Sequence, residues 1–182
     1  FRIQEVQKAG AIFDPSKLDW INNHHLAALS FDDFKKRLIP FLDALSLDYT
    51  QKKNTNEIIA AMRSSKPNLL GVAQDLIPYF SELNSYNEKA ANKFLIGSET
   101  ILEYVQRKLN SIEQWNETSI DNALKEAQTA LSLTTPKLNQ PIRIAMTGST
   151  QSPSLGLTLS LFSRDEVNNR INAALEYLVN FN

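Results

Sequence analysis

The residues best suited to chemistry gather in the stretch 141–159, PIRIAMTGSTQSPSLGLTL. A lone cation, Arg143, stands just before a wholly polar run, Ser149-Thr150-Gln151-Ser152. Ile142, Ile144 and Met146 alternate with Arg143, Ala145 and Thr147, which predicts a short extended segment leading into a loop. Gly148 then breaks the backbone, and Pro153 suits the first turn of a new helix. An arginine beside hydroxyls and a helix N-terminus makes a seat for an anion or the edge of a base. A capped inter-helix loop with an exposed arginine accounts for the same letters.

Elsewhere the chain offers little to catalysis. It has no nucleophile elbow and no His-x-x-His spacing. Thr147-Gly148-Ser149-Thr150 lacks the second glycine and the lysine of a phosphate loop. Its two histidines, His24 and His25, are adjacent, so on a helix they point about 100° apart and cannot share a metal. With no cysteine, disulfides and thiolate metal sites are excluded. The chemistry on offer is binding.

The elements that must hold this stretch read as helices. Asp14-Pro15 is a helix start, and Leu18, Trp20, Ile21 and His25 suggest one inward apolar face, with Trp20 in the core. Ser30 opens a second helix in a shortened capping box with Asp33, and Phe34, Leu38, Phe41, Leu42 and Leu45 form its stripe. Pro40 predicts a kink in that helix, and Lys35, Lys36 and Arg37 lie on its outer side. Residues 50–55 read as a loop, with Thr55 or Asn56 capping a helix that carries Ile58, Ile59 and Met62. Helix resumes over 69–80, closed by Pro78. Residues 84–87 read as a linker and the best domain boundary; helices follow over 89–94, 98–112, about 116–131, 153–162 and 165–179. Residues 132–140 read as loop, and residues 1–8 have a helical look with apolar Ile3 and Val6. The expected fold is all-α, two small helical subdomains side by side.

A chain of 182 residues suffices for one sizeable core or two small ones. A net charge of −1 excludes nucleic-acid binding by bulk electrostatics, so any such binder must place a few cations locally and read unpaired bases. No apolar run reaches the roughly 18 residues of a membrane span. The opening FRIQEVQKAG has neither an initiator methionine nor an apolar signal core, and reads as a piece of something longer.

Two runs carry a family resemblance. Pro141, Ile142, Arg143, Ile144, Ala145, Met146, Thr147, Gly148, followed by Ser152, Pro153, Ser154 and Leu155, resembles a motif of the C-terminal anticodon-binding region of bacterial-type glutamyl-tRNA synthetases. There the pattern is Pro-Leu-Arg-(Val/Ala)-Ala-(Leu/Val)-Thr-Gly and then Ser/Thr-Pro-x-Leu. Residues 13–26, FDPSKLDWINNHHL, resemble a second run of that family, Phe-(Asp/Asn)-x-x-Lys-Leu-x-Trp-(Met/Leu)-Asn. The likeness spans essentially the whole chain and keeps the order of the two runs.

The resemblance implies an α-helical cage: the end of a stem-contact segment (1–29), a first anticodon-binding subdomain (30–86) and a second (87–182). It implies a parent enzyme, cytoplasmic and monomeric, that couples glutamate to tRNA(Glu) using ATP and Mg²⁺ bound upstream. This piece carries neither the His-x-Gly-His nor the Lys-x-Ser-Lys motif of that catalytic part, and is expected to hold no cofactor and to be inactive alone. By position, Arg143 and Thr147 match the anticodon-contacting run. Ser152, Pro153 and Leu155 match the loop on the first anticodon base, although Leu155 equally suits a helix-start core residue. Lys17 matches a stem contact, and Asn22 a residue that caps or orients the local turn. Members that discriminate at the third base carry an arginine where Ser65 stands here, with Arg63 two residues earlier. Either Arg63 or Lys66 substitutes for it, or the protein also accepts tRNA(Gln). A helical protein-interaction scaffold without tRNA is the competing expectation.

Overall fold

The computed structural model describes residues 14–180, and all regular structure among them is helical. The order is α1 (Pro15–Ala28), α2 (Phe31–Ala44), α3 (Thr55–Met62), α4 (Leu69–Phe80) and α5 (Glu88–Ala90). A π-helical stretch (Ala91–Leu95) follows, then α6 (Glu99–Asn110), α7 (Glu117–Ala130), α8 (Thr135–Thr147), α9 (Leu155–Ser160) and α10 (Arg164–Val179). The all-α expectation holds for these residues. The reading of residues 1–8, and Phe13 of the second motif, lie outside them.

Short polar side chains set most helix starts. Asp14 accepts from the Ser16 and Lys17 amides, Asn68 from Gly71 and Asn116 from Ser119. Each such cap contributes about 1 kcal/mol. Ser30 accepts from the Asp33 amide, but the Asp33 carboxylate takes the Ser30 hydroxyl rather than its backbone N–H, being one methylene short of a reciprocal box. The complete box forms at α10, between Ser163 and Glu166. Asn54, not Thr55 or Asn56, occupies the cap position of α3; the Thr55 hydroxyl lies against the Tyr49 and Lys52 carbonyls instead. α2 runs through Pro40, and α4 ends at Phe80, two residues past Pro78.

Two expectations fail at the packing level. The alternating apolar residues 142–146 are not extended: they form the second half of α8, which starts at Thr135 inside the expected loop. α8 touches α4, α6, α9, α10 and the π-helical stretch. Pro141, Ile142 and residues 144 to 147 are all buried. A helix enclosed on most faces has no polar stripe to betray its period, so alternation around one arginine imitates a strand. The second failure is α1, which buries only Leu26. Trp20 is 70% exposed and stacks on His24, ring centroids 6.1 Å apart, instead of entering the core. Asn22 lies mid-helix, so it caps nothing.

One aromatic–cation group joins the first four helices to the last three. Phe162 stacks on Tyr79 of α4 at 5.0 Å, 9° from parallel. Arg170 of α10 lies over Phe162 at 4.6 Å, and Lys52 lies 5.0 Å from its centroid. The Arg170 guanidinium donates to the carbonyls of Pro78 (2.6 Å) and Ser81 (3.1 Å) at the end of α4, and to Met146 at the end of α8. Lys52 also pairs with Glu166 at 2.7 Å.

Arg170→Met leaves three carbonyls short of a donor, and denaturant unfolding should show a loss of about 2–4 kcal/mol. Arg170→Lys should restore little of it, since an ammonium lacks the fork that spans two helix ends.

Candidate functional site

Arg143 sits one turn before the end of α8 and is half-buried, not exposed. Its Nη1 donates to the Ser152 carbonyl at 2.9 Å and the Pro153 carbonyl at 2.7 Å, and also contacts Ser152 Oγ. Its Nε is buried with no hydrogen-bond partner. Burial lowers its pKa, yet a guanidinium stays charged across the physiological range. This arginine therefore holds the 148–154 loop in shape, with its charge beneath the loop.

The rest of the loop is built to match. Gly148 ends α8 in the left-handed region at φ 69°, where a Cβ would stand 3.0 Å from Leu83 Cδ1 and 3.1 Å from the Ser85 carbonyl. Its own carbonyl accepts from the Asn87 amide. Thr147 is buried, its hydroxyl 2.9 Å from the Arg143 carbonyl and 3.2 Å from that of Ser149. Ser152 Oγ lies 2.9 Å from Thr158 Oγ1. Pro153 precedes the first turn instead of opening it, because Ser154 is the N-cap of α9. Leu155, the first residue of α9, is 4% exposed, so it packs inward and offers no face to a base.

The α3–α4 corner faces this loop. Arg63 Nη2 donates to the carbonyls of Leu26, Ala27 and Leu29, and its guanidinium lies 5.3 Å from the Phe34 ring centroid. It thus completes the C-terminus of α1, where the last carbonyls lack intrahelical donors. That engagement occupies Nη2 and turns the guanidinium toward the end of α1. Lys66 pairs with Asp75 at 3.7 Å. Ser65 Oγ is buried without a hydrogen-bond partner.

A groove of about 300 Å³ runs between the two parts, lined by Ser64, Ser65, Lys66 and Asp75 on one side and Gln151, Ser152 and Pro153 on the other. Beside it, a recess of about 80 Å³ reaches Tyr79, Thr147 and Ser149. Residues from both ends of the sequence pattern, Ser65 and Ser152-Pro153, thus share one groove, whereas Lys17 and Asn22 lie apart on α1 and line neither. Hydroxyls, one amide, a lysine–aspartate pair and a proline face can read a base edge and cover its ring. Among the described residues no three acidic or histidine side chains gather as a metal site, and no helix is long and apolar enough to cross a membrane. Sequence reasoning missed Asp75 and Gln151. Asp75 is anonymous among the polar positions of α4, and Gln151 carried no motif of its own.

The anticodon binding domain family matches residues 33–175. Glutamate–tRNA ligase 2 of Halorhodospira halophila is 30% identical over 98% of this chain. Glutamate–tRNA ligase 1 of Coxiella burnetii is 33% identical over 98%, and glutamate–tRNA ligase of Myxococcus xanthus 33% over 96%. The chain spans only 37–38% of the length of these relatives. The crystal structure of a glutamate tRNA ligase from Elizabethkingia meningosepticum shares the fold, with a TM-score of 0.81 at 22% identity over 98% of this chain and 35% of that one. Glutamate-tRNA synthetase from Elizabethkingia anophelis gives 0.77 at 22% over 97% and 34%.

If Arg63 serves α1 and not a base, Arg63→Met should speed amide exchange across residues 26–34 and cost about 1–3 kcal/mol of stability. Its effect on any ligand in the groove should be the same whichever base is offered.

Proposed function

The chain belongs to the anticodon binding domain family, and from that premise we propose that it is the C-terminal, tRNA-reading part of a glutamate–tRNA ligase. The observation that carries this reading is the shared groove, where Ser65 of the α3–α4 corner and Ser152-Pro153 of the loop held by Arg143 face a common space. Unstacked anticodon bases enter it. Ser152 and the loop backbone hydrogen-bond the edge of the first base while Pro153 covers its face. Arg143 and Thr147 act through the loop they hold. Lys17 and Asn22 of α1 face the tRNA stem. In this reading 30–86 and 87–182 form two subdomains that grip the anticodon between them, and 1–29 ends the stem contact. The part of the relatives' length that this chain does not span carries ATP, Mg²⁺ and the chemistry that joins glutamate to tRNA(Glu). The parent enzyme is cytoplasmic and monomeric.

A specific observation favours a second, finer reading. Among the described residues no arginine lines the groove: Arg63 Nη2 is engaged at the end of α1 and Arg143 Nη1 by the loop, while the lysine that does line it, Lys66, pairs with Asp75. Ser65 alone stands at the position for the third base. A hydroxyl donates or accepts, so cytosine and guanine are both tolerated there, and tRNA(Gln) is charged with glutamate as well.

The test is binding of this chain to the anticodon stem-loop of tRNA(Glu), at low and physiological salt, against versions with each base replaced. Replacing the first base should weaken binding by roughly tenfold or more, and Arg143→Ala should abolish that dependence. Indifference to every base would overturn the reading in favour of a helical scaffold. At the third base, cytosine and guanine should bind within about threefold of each other, and Ser65→Arg should open a preference of about tenfold. A tenfold preference already present in the unaltered chain would sink the second reading.

A further inference from the structure

Tyr79 is the largest fully buried side chain, 1% exposed, and its hydroxyl has no hydrogen-bond partner. Stacking on Phe162 fixes the ring, so the hydroxyl cannot swing to solvent. Buried phenols nearly always find a partner, and an orphan at this position asks for a reason. The surroundings supply one. Burial raises the Tyr79 pKa and the neighbouring Thr158 hydroxyl lowers it, without a hydrogen bond of normal geometry between them. The Thr158 hydroxyl is committed instead to Ser152 Oγ at 2.9 Å, with only a long contact of 3.4 Å to the Pro153 carbonyl. Tyr79 also lines the recess together with Ser152 and Gln151.

We propose that Tyr79 is a positioning residue for base recognition, the partner held in reserve for Thr158 when Ser152 turns to the base. The inference rests on the reading that Ser152 meets the first anticodon base. When Ser152 Oγ rotates toward that base, Thr158, fully buried, loses its best partner. A hydroxyl has one proton and two lone pairs, so a small rotation of Thr158 lets it donate to the Tyr79 oxygen instead. Thr158 then keeps a partner while Ser152 is released to the ligand. Without the phenol, releasing Ser152 strands a buried hydroxyl, and the loss is charged to binding. The device spans both parts of the chain, since Tyr79 lies on α4 while Ser152 and Thr158 lie beyond α8.

Tyr79→Phe separates this role from a structural one. Because the hydroxyl is unpartnered in the free protein, thermal unfolding of Tyr79→Phe should match or exceed that of the unaltered chain. Affinity for the anticodon stem-loop of tRNA(Glu) should nevertheless fall about three- to tenfold, the scale of one hydrogen bond. The loss should vanish in a Ser152→Ala background, and for a stem-loop with the first base replaced. Unchanged affinity in Tyr79→Phe, or a loss that persists in Ser152→Ala, would overturn the proposal while leaving anticodon reading intact. If the unaltered chain ignores the first base, that reading falls, and this inference with it.

Discussion

The last carbonyls of an α-helix have no donor within the helix, and in a protein of short helices and tight connections many of them end up out of reach of water. Here arginine meets that constraint. Arg63 serves the end of α1, Arg164 the carbonyls of Asn110 and Ile112 at the end of α6, and Arg170 the ends of α4 and α8 together. Arg143 does the same for the loop that leads into α9. The forks of Arg63, Arg164 and Arg170 tie elements distant in sequence, because one guanidinium has donors enough for several carbonyls. The aromatic rings beneath these cations, Phe34, Trp115 and Phe162, fix where the forks point.

This use of arginine leaves few cations for the groove of a chain whose net charge is near zero. Its guanidinium groups are largely internal scaffolding, and the groove is left to hydroxyls, an amide and a lysine already paired with Asp75. Such a surface reads shape and base edges more than it attracts phosphate. The glycine at position 148 and the Asn87 amide on its carbonyl tie the loop to the 81–87 connection, so the loop's form depends on how the two parts of the chain meet.

How much of this was legible depended on which force decided each position. The caps Asp14 and Ser30 were legible, because each acts within three residues of itself. The stripes of α2 and α6 were legible because each has one solvated face. α8 was not: its surroundings come from five other elements, and enclosure erased the periodicity. Trp20 misled for the opposite reason. Aromatic residues are mostly buried, but α1 meets the rest of the protein only near its end, where Leu26 and Arg63 lie. At the groove, the motif located Arg143 and Ser152 but not the direction of the arginine's bonds. That direction is set by where Ser152 and Pro153 carbonyls fall in space, which no local pattern encodes.

The enclosure of α8 also has a bearing on the order of events during synthesis. A ribosome delivers α8 before α9 and α10, yet α8 is packed against both of them. Until the last helix emerges, Ile142, Ala145 and Met146 lack part of their cover, and the α8 carbonyl at Met146 lacks its donor, Arg170. The earlier helices can form as they appear, but the centre of the molecule closes only after the chain beyond α8 has left the exit tunnel. A pause in translation just after α8 would therefore expose the apolar segment on which the finished protein is built.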